Sequence, residues 1–143
     1  ARGLSGLCGE ADLVTASRQT VRSGANQCGE GAAVLIRREA TAAAGGFDDS
    51  LPYAIDIDYW MRLLHWGPMV GICDAHAAFR VSAQSWSNSL IREQGQQFIS
   101  LIERLAADPV RGITPRDVKM GRVRARVNAR ARQAFYLRHR SHL

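Results

Sequence analysis

The sequence predicts an α/β fold in which a few strands are flanked by helices, followed by a helical extension at the C-terminus. Short apolar runs typical of strands alternate with segments whose apolar residues recur at helical spacing. The 143 residues suffice for one domain with a buried core, and the composition, 46% hydrophobic and 22% charged, is that of a globular protein. The basic residues are concentrated at the C-terminal end.

The first part of the chain predicts two strands and a short helix. The apolar run Ala11 to Ala16 is typical of a strand, and a second strand is expected from Ala32 to Ile36. A helix is expected from Arg38 to Ala44 because Gly45 and Gly46 follow it, and glycine ends helices readily.

The centre of the chain predicts a helix that begins near Ile55 and ends at Gly67 and Pro68. Its apolar residues recur at helical spacing: Ile55, Tyr59, Leu63 and Trp66. A third strand is expected from Met69 to Val81. With about three strands the sheet is small, because roughly five strands are usual, so we expect the domain to be incomplete on its N-terminal side.

A long helix is expected next, capped by Ser85 or Ser87 and continuing through Ala107. Its expected buried stripe consists of Leu90, Phe98, Leu101, Ile102 and Leu105. Residues 1–108 therefore form the predicted domain, and residues 109–143 the basic helical extension.

The extension predicts one long helix to about Arg138. Thr114 to Asp117 is typical of a helix start, with a capping threonine, a proline at the first position and an acid at the third. The expected buried stripe repeats every four residues: Val123, Val127, Ala131 and Phe135. Residues 111–143 contain ten lysines and arginines and a single acid. The preceding residues contain nine basic and twelve acidic groups.

Other classes of protein and site are disfavoured by the sequence. No run approaches the roughly 20 apolar residues that cross a bilayer. The three cysteines, Cys8, Cys28 and Cys73, form no CxxC pair, and the four histidines show no ligand spacing. We expect reduced thiols and a cytoplasmic location.

The segment from Gly45 to Gly67 combines a helical apolar pattern with four carboxylates: Asp48, Asp49, Asp56 and Asp58. Asp58 precedes Arg62 by four residues, the favourable order for a stabilising pair on one helix. Asp56 has no local cation at that spacing. It is interpreted either as an acid stabilised by the dipole of the helix start or as a general base beside aromatic residues that exclude water.

The stretches "IRREATAAAGGFDDSLPYAIDIDYWMRLLHWG" and "FRVSAQSWSNS" resemble the C-terminal half of a family 2 glycosyltransferase. The order of the motifs carries the resemblance: an "RR-E-A" helix, "GGFD", an acidic helix, a strand and an "R-V" segment. The resemblance covers roughly residues 31–89. It implies a GT-A type fold, a mainly parallel sheet flanked by helices, and inverting transfer of a sugar from a nucleotide-diphosphate sugar to an acceptor hydroxyl.

The resemblance also implies site residues. Asp56 falls on the catalytic base of the family. The rest of the helix motif corresponds to Asp58, Trp60 and Arg62, and the loop that lines the acceptor and donor-sugar pocket to Gly45, Gly46, Phe47 and Asp48. A divalent cation, magnesium or manganese, is implied for the complete enzyme.

The sequence departs from the family pattern in three places. Ile55 replaces the usual glutamate beside the base, and Ser82 stands where many members have a histidine that helps hold the metal. The nucleotide-binding half with its DxD motif would precede Ala1. We therefore expect the chain to be inactive without that half.

A second interpretation is a non-catalytic binding or assembly module. Its basic helix, residues 116–140, would engage an anionic membrane surface at the inner face of the membrane or a partner protein, unless its arginines are simply solvated. An unpaired sheet edge would favour a homodimer. Nucleic acid is a weaker partner because no aromatic residues alternate with the arginines before Phe135 and Tyr136.

Overall fold

The computed structural model describes residues 9–72, 74, 78 and 86–139, and these are mostly helical. The helices are α1 (Leu13–Ser23), α2 (Arg38–Ala44), α3 (Ile55–Leu63), α4 (Trp86–Ser89), α5 (Gln94–Ala106) and α6 (Pro115–His139). Two short strands, β1 (Gly9–Ala11) and β2 (Met69–Gly71), pair antiparallel with Glu10 opposite Val70. Short 3₁₀ turns cover Gly31–Ala33, Leu64–Trp66 and Pro109–Arg111.

The predicted α/β fold of GT-A type is wrong. The described residues form helices around one two-stranded antiparallel sheet, with no parallel pair. The expected strand from Ala11 to Ala16 is instead the end of β1 and the start of α1. Asp12 explains the difference, because its carboxylate accepts a hydrogen bond of 2.7 Å from the Thr15 backbone N–H and caps the helix.

The other two predicted strands are also reduced. Residues 32–36 contain a 3₁₀ turn and a segment without strand pairing, in which Leu35 is fully exposed. Of the strand expected from Met69 to Val81, only β2 is present, and most of the remainder lies outside the described residues.

The helices were predicted better. Residues 38–44 and the start at Ile55 are confirmed, and Gly45 adopts a φ of 75° where α2 ends. The helix expected from Ser85 or Ser87 is divided into α4, a turn and α5. Four residues of its expected stripe are buried: Phe98, Leu101, Ile102 and Leu105.

The start of α6 is confirmed as a capping arrangement. The Thr114 backbone N–H donates to the Asp117 carboxylate at 3.0 Å, and the Asp117 backbone N–H donates to the Thr114 hydroxyl at 3.2 Å. Arg18 on α1 also contacts this carboxylate at 3.0 Å, and Arg22 at 3.5 Å. The first turn of α6 is therefore fixed both to its own cap and to α1.

The face of α6 that packs against the domain differs from the prediction. Val123, Val127, Ala131 and Phe135 are exposed. The buried face carries small residues at the same four-residue spacing, Gly121, Ala125 and Ala129. Small residues face inward because α6 lies very close to α1 and α5: a Cβ on Gly24 would lie 2.5 Å from the Ala125 nitrogen.

Arg111 is a buried cation where the connection between α5 and α6 meets α1 and α3. Its guanidinium donates to the Ser17 hydroxyl at 2.9 Å and to the Met61 carbonyl at 3.1 Å, and it pairs with Asp108 at 3.0 Å. The side chain of His65 is 2.9 Å from the same group. Desolvation by burial lowers the pKa of Arg111, and the Asp108 charge opposes that effect.

Substitution of Gly121 tests the close approach of α6 to α1. A Cβ at this position would collide with the Val21 carbonyl oxygen, which belongs to a helix backbone and cannot move alone. Gly121→Ala should therefore lower the free energy of unfolding by about 1–3 kcal/mol, although alanine favours a helix intrinsically. Chemical denaturation measures the change.

Gly46→Ala is the matched control for Gly121→Ala, because no atom lies within 4 Å of the added Cβ. We expect this control to change stability by less than about 1 kcal/mol. Equal stability of the two variants would contradict the packing of α6 described above.

The carboxylate of Asp117 should make stability depend on acid pH. Burial alone would raise its pKa, but hydrogen bonds from Thr114 and the contact with Arg18 outweigh burial and lower the pKa below its ordinary value. A lowered folded-state pKa stabilises the protein above the unfolded pKa of about 4, and this stabilisation is lost as the pH falls through the folded value.

Asp117→Ala should therefore be about 1–2 kcal/mol less stable than the parent at neutral pH, with a difference that shrinks below about pH 4. Unfolding curves measured across that range check the prediction. The exposed Asp49, substituted by alanine, serves as the control and should show no such convergence. A difference for Asp117→Ala that is independent of pH would be evidence against the ionised cap.

Candidate functional site

Asp58 is a buried carboxylate on α3 with both oxygens engaged. One oxygen lies 3.0 Å from the Arg62 Nε, which confirms the pair that the spacing predicts, and the other lies 3.1 Å from an Arg104 Nη on α5. The Asp58 side chain is only 3% exposed. Because both oxygens are held by cations, Asp58 is a structural residue that joins α3 to α5.

The same two arginines hold the loop from Gly45 to Ser50. Arg62 donates to the carbonyls of Ala44 and Gly46, each at 2.7 Å. Arg104 donates to the Asp48 carboxylate and to the Ser50 hydroxyl, each at 2.8 Å. Residues 44–50, which contain the predicted pocket loop, are thus anchored at four points to α3 and α5.

Within this loop the pKa of Asp48 is lowered, first by the hydrogen bond from the Ser50 backbone N–H, which is 2.9 Å long, and also by Arg104. Sequence reasoning missed Arg104, because it lies 46 residues from Asp58 and no local spacing relates the two.

Aromatic rings flank the start of α3. Phe47 stacks at an angle on Tyr59 with ring centroids 4.4 Å apart, and its edge faces Trp60 at 6.4 Å. Tyr59 and Trp60 are buried, whereas Phe47 is 56% exposed. The ring of Phe47 is therefore open to solvent on one side and packs on Tyr59 and Trp60 of α3 on the other.

Trp60 also fixes the loop that precedes the 3₁₀ turn Gly31–Ala33. Its indole N–H donates to the Gly29 carbonyl at 3.1 Å, and Gly29 is followed directly by Glu30. Asp56 is one helical turn before Trp60 and so lies on the same side of α3. The Trp60 hydrogen bond therefore brings the chain at Glu30 toward Asp56.

The carboxylate of Glu30 lies within electrostatic reach of Asp56. Glu30 is an exposed residue, but partial burial of its carboxyl group raises its pKa, and the negative charge of Asp56 raises it further. Asp56 is half-buried and, among the described residues, makes no hydrogen bond and no ion pair. Glu30 was missed from the sequence because it is 26 positions from Asp56 and belongs to a turn without a motif.

Among the described residues no hydrogen-bond donor or cation is held by the Asp56 carboxylate, so its oxygens are available to accept a hydrogen bond. The described residues contain no group of three or more histidine, cysteine, aspartate or glutamate side chains that could hold a metal ion. Ser82, which stands where the family usually has a metal-binding histidine, lies outside the described residues.

Comparisons with protein-family models, with curated proteins and with solved structures find no match for this chain. The resemblance to family 2 glycosyltransferases therefore rests on the sequence motifs alone. In the described part of the chain, none of the helices combines the length and the apolar character needed to cross a membrane.

A titration of Glu30 tests the carboxylate pair. We expect its pKa to lie above the ordinary value of 4.5 and to fall in Asp56→Asn, because that substitution removes one of the two causes of the shift. The pKa should stay above the ordinary value, since desolvation is the larger cause. Carboxyl chemical shifts in NMR spectra recorded against pH measure it.

Asp49→Asn removes a carboxylate from the exposed loop and is the control. It should leave the Glu30 titration unchanged. A Glu30 pKa that is indifferent to Asp56→Asn would show that the two groups are not neighbours.

Proposed function

We propose that this chain supplies the general base of a glycosyl transfer reaction, with Asp56 as that base. The observation that carries the proposal is the unequal use of the two acids of α3. Asp58 forms ion pairs with Arg62 and Arg104, whereas Asp56 is half-buried and forms no ion pair among the described residues. The proposal rests on the motifs and on this local site, and not on a GT-A type sheet.

In the proposed reaction Asp56 accepts the proton of an acceptor hydroxyl. The oxygen of that hydroxyl attacks the anomeric carbon of a nucleotide-diphosphate sugar from the face opposite the diphosphate, which leaves with the electrons of the broken C–O bond. Inversion follows from this direct displacement. A base in this position contributes about 10²–10⁴-fold to the rate.

The loop whose Phe47 packs on Tyr59 and Trp60 of α3 suits a sugar. Phe47 offers an exposed ring against which the C–H face of a sugar can pack, and Gly45 and Gly46 leave open space around it, with no atom within 4 Å of an added Cβ. Because Arg62 and Arg104 anchor the loop, its geometry is set before a substrate binds. We assign it to the acceptor and donor-sugar pocket.

Nucleotide binding is proposed to come from chain outside the described residues. The divalent cation that the resemblance implies finds no ligand set among those residues, so no step is assigned to it here. The reaction is proposed to take place on the cytoplasmic side of the membrane, where nucleotide sugars are the donors.

The test is sugar transfer from a panel of nucleotide sugars, measured for this chain and for a version extended upstream. Asp56→Asn in the active form should reduce kcat by about 10²–10⁴-fold without loss of folding, because the base is removed and no pairing partner is stranded. Asp49→Asn is the matched control and should keep the parent rate. Full activity in Asp56→Asn would refute the assignment.

A second candidate function is a binding module that acts through α6. The specific observation in its favour is the exposure of six cations on this helix: Arg116, Lys119, Arg124, Arg126, Arg130 and Arg138. Absence of transfer in every form, together with binding through α6, would favour this candidate.

A further inference from the structure

The outward face of α6 carries an exposed apolar row. The helix has 25 residues and is about 37 Å long. Because Gly121, Ala125 and Ala129 face the domain, the row at 123, 127, 131 and 135 is turned to solvent. Val123 is 54% exposed, Val127 57% and Phe135 46%. These exposed side chains give the outward face of α6 an apolar surface.

A row of arginines lies beside the apolar row, one residue back along the helix at the same four-residue spacing. It contains Arg126, Arg130 and Arg138, which are exposed and have no acidic partner among the described residues. On the other side, Arg124 donates to the Arg22 carbonyl, so its charge is not neutralised. Asp117 is the single acid of α6, and it is buried against α1.

An open groove extends this surface at the start of the helix. It has a volume of about 750 Å³ and lies between the end of α5 and the first turns of α6. Ile113, Val118 and Val123 supply apolar lining, while Lys119 and Arg126 supply positive charge. The groove thus repeats the composition of the helix face, with apolar groups next to cations.

We propose that this face of α6 docks on the surface of a membrane that contains anionic lipids. The charges complement lipid phosphates, and the exposed valines complement the apolar layer directly beneath those phosphates. A nucleic acid offers phosphates but no such layer for the valines. In this proposal α6 lies along the membrane surface, with its arginines at the phosphates and its valines below them. This proposal does not depend on the glycosyl transfer proposed above.

Vesicle binding by the whole chain tests the proposal. The chain should bind vesicles of phosphatidylcholine mixed with phosphatidylglycerol, and bind phosphatidylcholine alone far more weakly. The affinity should fall as sodium chloride is raised, because salt screens the exposed charges. Equal binding to both vesicles, or to neither, overturns the proposal.

The double substitution Arg126→Gln with Arg130→Gln locates the surface. Two charges near an anionic surface contribute about 30-fold in affinity, and we expect a loss of that size. The control is Arg37→Gln with Arg38→Gln, which removes the same charge from exposed positions on α2 and before it. An equal loss in both doubles would show that net charge alone drives binding, and would overturn the assignment to α6.

The apolar row is tested by Val123→Ser with Val127→Ser, which changes exposed residues and should leave the helical circular dichroism unchanged. We expect about a tenfold loss of vesicle binding and no loss of binding to a single-stranded oligonucleotide. Unchanged vesicle binding, or tighter binding to the oligonucleotide than to anionic vesicles at equal salt, would mean that the partner is a polyanion and not a lipid surface.

Discussion

The burial of the Asp58 carboxylate is the constraint on which the candidate site depends. A charge that is 3% exposed must be neutralised, and Arg62 and Arg104 do so from two different helices. Each arginine also donates hydrogen bonds to the loop from Gly45 to Ser50. One buried charge therefore fixes the distance between α3 and α5 and the conformation of the loop at once.

That constraint also determines what Asp56 can do. Residues two positions apart on a helix point in directions that differ by about 200°. Because α3 turns Asp58 toward the two arginines, it turns Asp56 away from them. The turn that carries Glu30 lies on that other side, held by the hydrogen bond from Trp60 to Gly29. The two acids of α3 thus differ in environment: Asp58 is buried and paired with two arginines, whereas Asp56 is half-buried and has no ion pair among the described residues.

A second constraint is steric and acts through α6. The glycine and alanines on its inner face permit an approach to α1 and α5 that larger residues would prevent. The same choice leaves the valines and arginines on the outside. The exposed surface of α6 is therefore a consequence of how closely its other face packs.

The sequence by itself determined features whose partners lie within about four residues: the end of α2 at Gly45, the cap at Thr114 and Asp117, and the pair of Asp58 with Arg62. The Asp12 cap of α1 was equally local, but the apolar run that follows it was interpreted as a strand.

Only the tertiary structure decided that Arg104 pairs with Asp58, that Glu30 comes within electrostatic reach of Asp56, and which face of α6 is buried. The spacing of residues along the chain predicts which side chains are neighbours on one helix. Whether those side chains are buried depends on which other element packs against that face. A row of valines at i, i+4 spacing predicts a buried stripe. In α6 the row of glycine and alanine is buried instead, because small residues allow closer contact between helix backbones.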